Sequence, residues 1–291
     1  MDDSYEIKSR LLAYSPNLKE SWLLLVYILV GFVILSATIV LIKRITGITA
    51  EVSRGPLGAL LTAIVIVMIV SHLGRHSNYV PISSPRQSPL LCLFFMLFVM
   101  SVYGVTAPLW AWMTKLVPMF DIRFDIMSDI TKRIVAKNNL SGFVLIVICY
   151  PIFEEWLHRG IILKGLLTHY SPFKAIMWSA VLFSVTRLHT PRQVLEVFCF
   201  ALMVGWVYWQ TKSLWHCMLM HMVNNATMFF ARAIFIRFFK PPSIDVTMTT
   251  DLAGGYYIII FLVALLMCVL SVIGIKKVIV PYDTVSGEES I

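Results

Sequence analysis

Apolar residues gather in long unbroken stretches, separated by short polar connections. The stretches lie near 22–42, 57–73, 90–113, 142–160, 174–189, 193–210, 213–235 and 256–275. About 20 helical residues cross a hydrocarbon layer roughly 30 Å thick, so each run is close to a spanning length. The pattern predicts an all-α, multi-pass transmembrane bundle of about eight spans. The first run, Trp22 to Ile42, is too long for a signal-peptide core and is expected to stay as an anchor. Pro81, Pro85 and Pro89 break helix ahead of the third span. The longest connection, 114–141, carries Asp121, Asp125 and Asp129 beside apolar neighbours, which predicts an interfacial amphipathic helix over 121–137. The tail from Val280 reads as solvated and disordered.

Composition strengthens the membrane reading. Of 291 residues, 58% are hydrophobic and 14% charged, with a mean hydropathy of +0.81. Soluble domains are about 45–50% apolar and about 25% charged, so this chain has too little polar surface to coat a globule in water. Disordered, collagenous and secreted disulfide-rich classes are excluded on the same grounds. Cys92, Cys149, Cys199, Cys217 and Cys268 all lie inside apolar runs and carry no disulfide or zinc spacing. A net charge of +8 sits mainly at the ends of those runs, where anionic lipid headgroups are the expected partner and nucleic acid is not. Basic residues balance across alternate connections, so charge assigns no orientation.

Candidate chemistry shows up as polar residues in expensive places. Between Asp129 and Asp245 the only carboxylates are Glu154, Glu155 and Glu196, and the first two are adjacent at the end of the apolar run Leu140–Phe153. An acid at a membrane-helix centre costs about 2.5–3.5 kcal/mol, against about 0.3–0.6 gained per aliphatic residue. Either the span ends at Phe153 and both acids are wetted at the interface, or the pair is a functional site. Arg159 follows Glu155 by four residues and shares its helical face, while Glu154 is turned by about 100°. His189 closes the run that begins at Ala175. His221 and Asn225, also four apart, stand in a span otherwise rich in Met, Phe and Leu. They read either as interhelical hydrogen-bonding glue or as aimed donors.

Two Glu, one Arg, two His and one Asn on three successive polar-marked spans can together hydrolyse an amide. A glutamate helped by a histidine takes a proton from water, and a histidine with an asparagine donates to the oxyanion that develops. Glu196, His158, His169, His216 and Asn224 have ordinary helix-end or interface roles available and are not expected to be catalytic.

These motifs resemble the CAAX-protease and bacteriocin-processing (CPBP, or Abi) family of intramembrane proteases, which includes the Rce1-type prenyl endopeptidases. The resemblance covers about residues 141–230. It rests on Glu154-Glu155-x-x-x-Arg159-Gly160, on His189, on Gly205-Trp206 and Ser213-Leu214-Trp215, and on His221-x-x-x-Asn225. The family pattern has a Phe four residues before its first histidine; here Val185 holds that place and Phe183 lies two residues earlier. The resemblance implies a conical or bundled catalytic core and a catalytic set of Glu154, Glu155, Arg159, His189, His221 and Asn225. Glu154 and His189 would activate water, His221 and Asn225 would form the oxyanion hole, and Glu155 with Arg159 would hold the site together. A peptide or lipidated protein is the implied substrate, in the plasma membrane if the cell is prokaryotic.

No cofactor is expected. Zinc held by Glu154, His189 and His221 is the alternative, although no His-Glu-x-x-His helix is present and the adjacent acids point apart. The expected organisation is an N-terminal membrane region over 1–140, a protease core over 141–235, and a last span with its tail over 236–291. Two other classes compete: an inert scaffold or immunity factor of the same fold, and a transporter using the acid pair as a proton site. A transporter predicts internal repeats, and none is visible.

Overall fold

The computed structural model describes residues 15–46, 89–116, 140–187, 191–239 and 254–281. Among them every regular element is helical. The elements are α1 (Leu18–Thr46), α2 (Leu90–Leu116), α3 (residues 140–169), α4 (Pro172–Val185), α5 (Pro191–Thr211), α6 (Leu214–Phe239) and α7 (Gly254–Val278). Seven of the eight expected runs fall on these helices. The run at 57–73, the interfacial helix at 121–137, the tail from residue 282 and His189 lie outside the described residues.

Among the described residues, three helical stretches are long and apolar enough to cross a membrane: Leu90–Leu109, Val194–Thr211 and Ile258–Val278. The run expected over 174–189 is the 14-residue α4, which at 1.5 Å per residue extends about 21 Å. It stops early because Thr186 and Arg187 turn back, their N–H groups donating to Phe183 O at 3.3 Å and Ser184 O at 2.9 Å. Such i−3 bonds tighten a last turn and end the helix.

α1 opens with a reciprocal cap. Asn17 N–H donates to Glu20 Oε2 at 2.9 Å and Glu20 N–H to Asn17 Oδ1 at 3.0 Å, which satisfies two of the orphan donors of the first turn. The preceding Ser15–Pro16 segment docks on the end of α3: His169 Nε2 donates to Ser15 O at 2.9 Å, and a Cβ at Gly165 would lie 2.6 Å from Pro16 N and 2.7 Å from Pro16 O. Only glycine admits that approach. Gly165→Ala is therefore expected to cost about 1–3 kcal/mol and to loosen this dock, which limited proteolysis near residues 14–17 would register as faster cleavage.

α2 and α7 pair antiparallel, with Gly104 opposite Ala264 and Phe94 opposite Gly274. Small residues let the backbones close, since a Cβ on Gly104 would lie 2.7 Å from that of Ala264. Through α2 the pair packs against α5 and α6. α6 runs antiparallel to α3, as the contacts Phe143–Phe229, Ile146–Asn225 and Glu155–His221 descend one helix while climbing the other. α5 ends on Lys212, whose left-handed backbone (φ 51°) turns the chain into α6 while its N–H donates to Tyr208 O at 2.8 Å. Leu157, Ile162, Leu182, Phe183, Val204 and Met220, from α3 to α6, form the middle of one buried core that continues into Phe95 and Val99 of α2. Glu196 is pinned inside it by the Thr106 hydroxyl at 3.0 Å, an interhelical bond from α2 to α5.

Candidate active site

The site begins with an irregularity in α3. Two π-helical stretches, Leu145–Cys149 and Trp156–Leu163, flank the α-helical turn Tyr150–Glu155. Tyr150 N–H donates to Leu145 O, five residues back, which closes the first wide turn. Pro151 follows it and has no N–H of its own to give. Wide turns re-aim the side chains after them and recur at functional sites. Here they bring Glu154, Glu155 and Arg159 to the faces that look toward α4, α5 and α6.

Glu155 is fully buried. Its Oε1 accepts from Arg159 Nη1 at 2.8 Å and from His221 Nδ1 at 2.7 Å. Arg159, also buried, donates from Nη2 to Ala201 O at 3.1 Å and lies 4.9 Å above the Phe183 ring centroid. One carboxylate thus ties α3 to α5 and α6 through an arginine and an imidazole. The His221 ring is steadied edge-on by Phe200 at 4.9 Å. Because Nδ1–H donates to Glu155, the neutral ring offers Nε2 as an acceptor. That nitrogen lies 3.7 Å from Glu154 Oε2, beyond direct hydrogen-bond reach.

Glu154 is the accessible acid, with its side chain 26% exposed. Arg187, in the turn after α4, donates from Nη2 to both of its oxygens at 2.6 Å. Asn225, one turn beyond His221, donates from Nδ2 to Ile146 O at 2.9 Å, a carbonyl in the first wide turn. Its Oδ1 accepts from Asn224 Nδ2 at 2.9 Å. The carboxamide is therefore held in orientation, with one of its two N–H groups engaged.

Glu154, Glu155, Arg159 and His221 meet in one place. Asn225 borders it through α3, and His189 lies outside the described residues. Sequence reasoning passes over Arg187 because it sits inside a run counted as apolar, Ala175–Leu188. The available signal was a cation interrupting that run with an acid pair upstream needing compensation. His158, set aside on sequence, is buried beside the site with its ring 4.5 Å from that of Phe183.

Among the described residues no group of three His, Cys, Asp or Glu side chains converges as a metal site needs. Both Glu154 oxygens face a guanidinium, and Glu155 Oε1 is taken by Arg159 and His221. A zinc ion wants anionic or neutral donors turned toward it rather than toward arginine; His189, the third ligand of the zinc alternative, lies outside the described residues.

No curated protein and no solved structure matches the chain. A family model does, over residues 136–227, a segment that contains Arg187 and every site residue described above: that segment is similar to the family described as type II CAAX prenyl endopeptidase Rce1-like.

Proposed function

We propose that the chain is an intramembrane endopeptidase that hydrolyses a peptide bond near the membrane surface, with Glu154 as the base for the attacking water. The observation that carries this reading is the arrangement around Glu154: a partly exposed carboxylate, aimed by Arg187, 3.7 Å from His221 Nε2, while the neighbouring Glu155 is locked into structure. A water seated between Glu154 and His221 would give its proton to the carboxylate as its oxygen bonds to the carbonyl carbon. The second N–H of Asn225 would donate to the oxyanion. General-base help contributes about 10²–10⁴ in rate and one oxyanion donor about 10²–10³. The substrate class follows from the Rce1-like match: a chain with a prenylated C-terminal Cys-a-a-X tail, cut to release a short peptide. Lipid-embedded recognition of the prenyl group suits a protein with about eight crossings in all.

The test is release of the C-terminal tripeptide from a farnesylated peptide by purified protein in lipid vesicles, followed by mass spectrometry with and without a strong chelator. Turnover insensitive to the chelator is expected. Chelator-sensitive turnover would favour the zinc alternative.

A second reading, an inert scaffold of the same fold, is favoured by one observation: Arg187 engages both oxygens of Glu154. It predicts no turnover on a broad panel of prenylated and unprenylated peptides, together with tight binding of at least one of them.

A further inference from the structure

Phe183 forms the floor of the site. Besides the Arg159 guanidinium above it, the ring faces His158 at 4.5 Å and His221 at 6.0 Å. It is buried, whereas Val185 is only half-buried. Arg187, four residues after Phe183 and in the turn that closes α4, is the side chain that reaches Glu154 from here. The spacing of a Phe four residues ahead of a polar residue therefore has two possible registers here. Counted back from His189 it lands on Val185; counted forward from Phe183 it lands on Arg187. Two residues rotate a helix by about 200°, so within α4 Phe183 and Val185 lie on nearly opposite faces. The register beginning at Phe183 puts an aromatic ring under Arg159 and a polar group on Glu154.

We infer that Arg187 is the positioning residue of Glu154, acting from the place the pattern gives to a histidine and holding the carboxylate through both oxygens. This rests on the peptidase reading and sharpens it. A guanidinium only donates hydrogen bonds and stays charged, so it cannot relay a proton. The proton that Glu154 takes from water then passes, without help from Arg187, to the leaving amine nitrogen as the C–N bond breaks and the new C–O bond is complete.

The experiment compares wild type, Arg187→Gln, Arg187→Lys and His189→Ala on the farnesylated peptide in vesicles. Arg187→Gln is expected to lose about 10²-fold in kcat, the scale of a misplaced catalytic group, with KM little changed. Arg187→Lys should recover part of that loss, because it restores the charge without the planar fork. The loss in Arg187→Gln should exceed that in His189→Ala at least about tenfold. Near-wild-type turnover by Arg187→Gln, with His189→Ala as impaired as Glu154→Gln, overturns the inference and leaves the peptidase reading standing. If wild type cleaves nothing, the peptidase reading falls and a thermal double-mutant cycle decides. Non-additive midpoints for Glu154→Gln and Arg187→Gln support a pair that organises the carboxylate, and additive ones overturn it.

Discussion

Glu154→Gln is expected to reduce peptide hydrolysis by about 10²–10⁴-fold while leaving the protein folded. The substitution keeps the shape of the side chain and an oxygen to accept from Arg187, and removes only the charge that can take a proton. Its structural penalty should be small. The Glu154–Arg187 pair is partly open, at 26% and 18% side-chain exposure, and pairs of that kind contribute roughly 0–1 kcal/mol. Activity and stability should therefore separate cleanly: tripeptide release falls to background while the thermal midpoint moves by no more than a few degrees. Turnover at the wild-type rate would remove Glu154 from the mechanism. The adjacent acid should behave oppositely, because Glu155 is buried and bonded to two partners. Glu155→Gln is expected to lose stability and activity together.

The contrast between these neighbours follows from helical periodicity, and this part was legible in the sequence. Glu155 and Arg159 are four apart, so any helix carrying them sets the two side chains on one face; the bond is 2.8 Å. The helices were legible for a similar reason, since apolar runs of spanning length have few alternatives to helix in a membrane. What was not legible depends on distant partners or on departures from regular backbone. His221 meets Glu155 across 66 positions, Arg187 meets Glu154 across 33, and Glu196 meets Thr106 across 90. No local pattern encodes such pairings.

The π-helical turns were equally silent apart from Pro151, and they explain the placement of Asn225. From spacing alone, Asn225 reads either as interhelical glue or as an aimed donor. In the structure its first donor goes to Ile146 O within a wide turn, which no periodicity argument anticipates. Arg187 was hidden differently. Counting a run by its overall hydropathy averages one cation into its apolar neighbours, yet that cation faces the one partly exposed acid of the site.

The largest effect on stability is expected from Arg159. Its guanidinium is 1% exposed, bonded to Glu155 at 2.8 Å and to Ala201 O at 3.1 Å, and stacked on Phe183. Arg159→Met fills similar volume but strands the Glu155 carboxylate in the core with only His221 beside it. Breaking a buried pair from one side costs about 3–5 kcal/mol, and the lost cation–π contact adds to that about 0.5–2. At about 2–4 °C per kcal/mol for a chain somewhat smaller than this one, the thermal midpoint should fall by roughly 7–28 °C. The companion variant, Glu155→Met with Arg159→Met, separates charge from packing. Removing both ions deletes the uncompensated carboxylate, and such replacements are often neutral or stabilising. The double variant should regain much of the midpoint but not all of it, since His221 Nδ1–H then lacks its acceptor, a penalty of about 1–3 kcal/mol. Activity should stay lost in the double variant, because without Glu155 nothing fixes which His221 nitrogen faces Glu154. If Arg159→Met alone shifted the midpoint by less than about 2 °C, the buried pair would not be what locks α3 to α5 and α6, and the division of labour between the two glutamates would have to be redrawn.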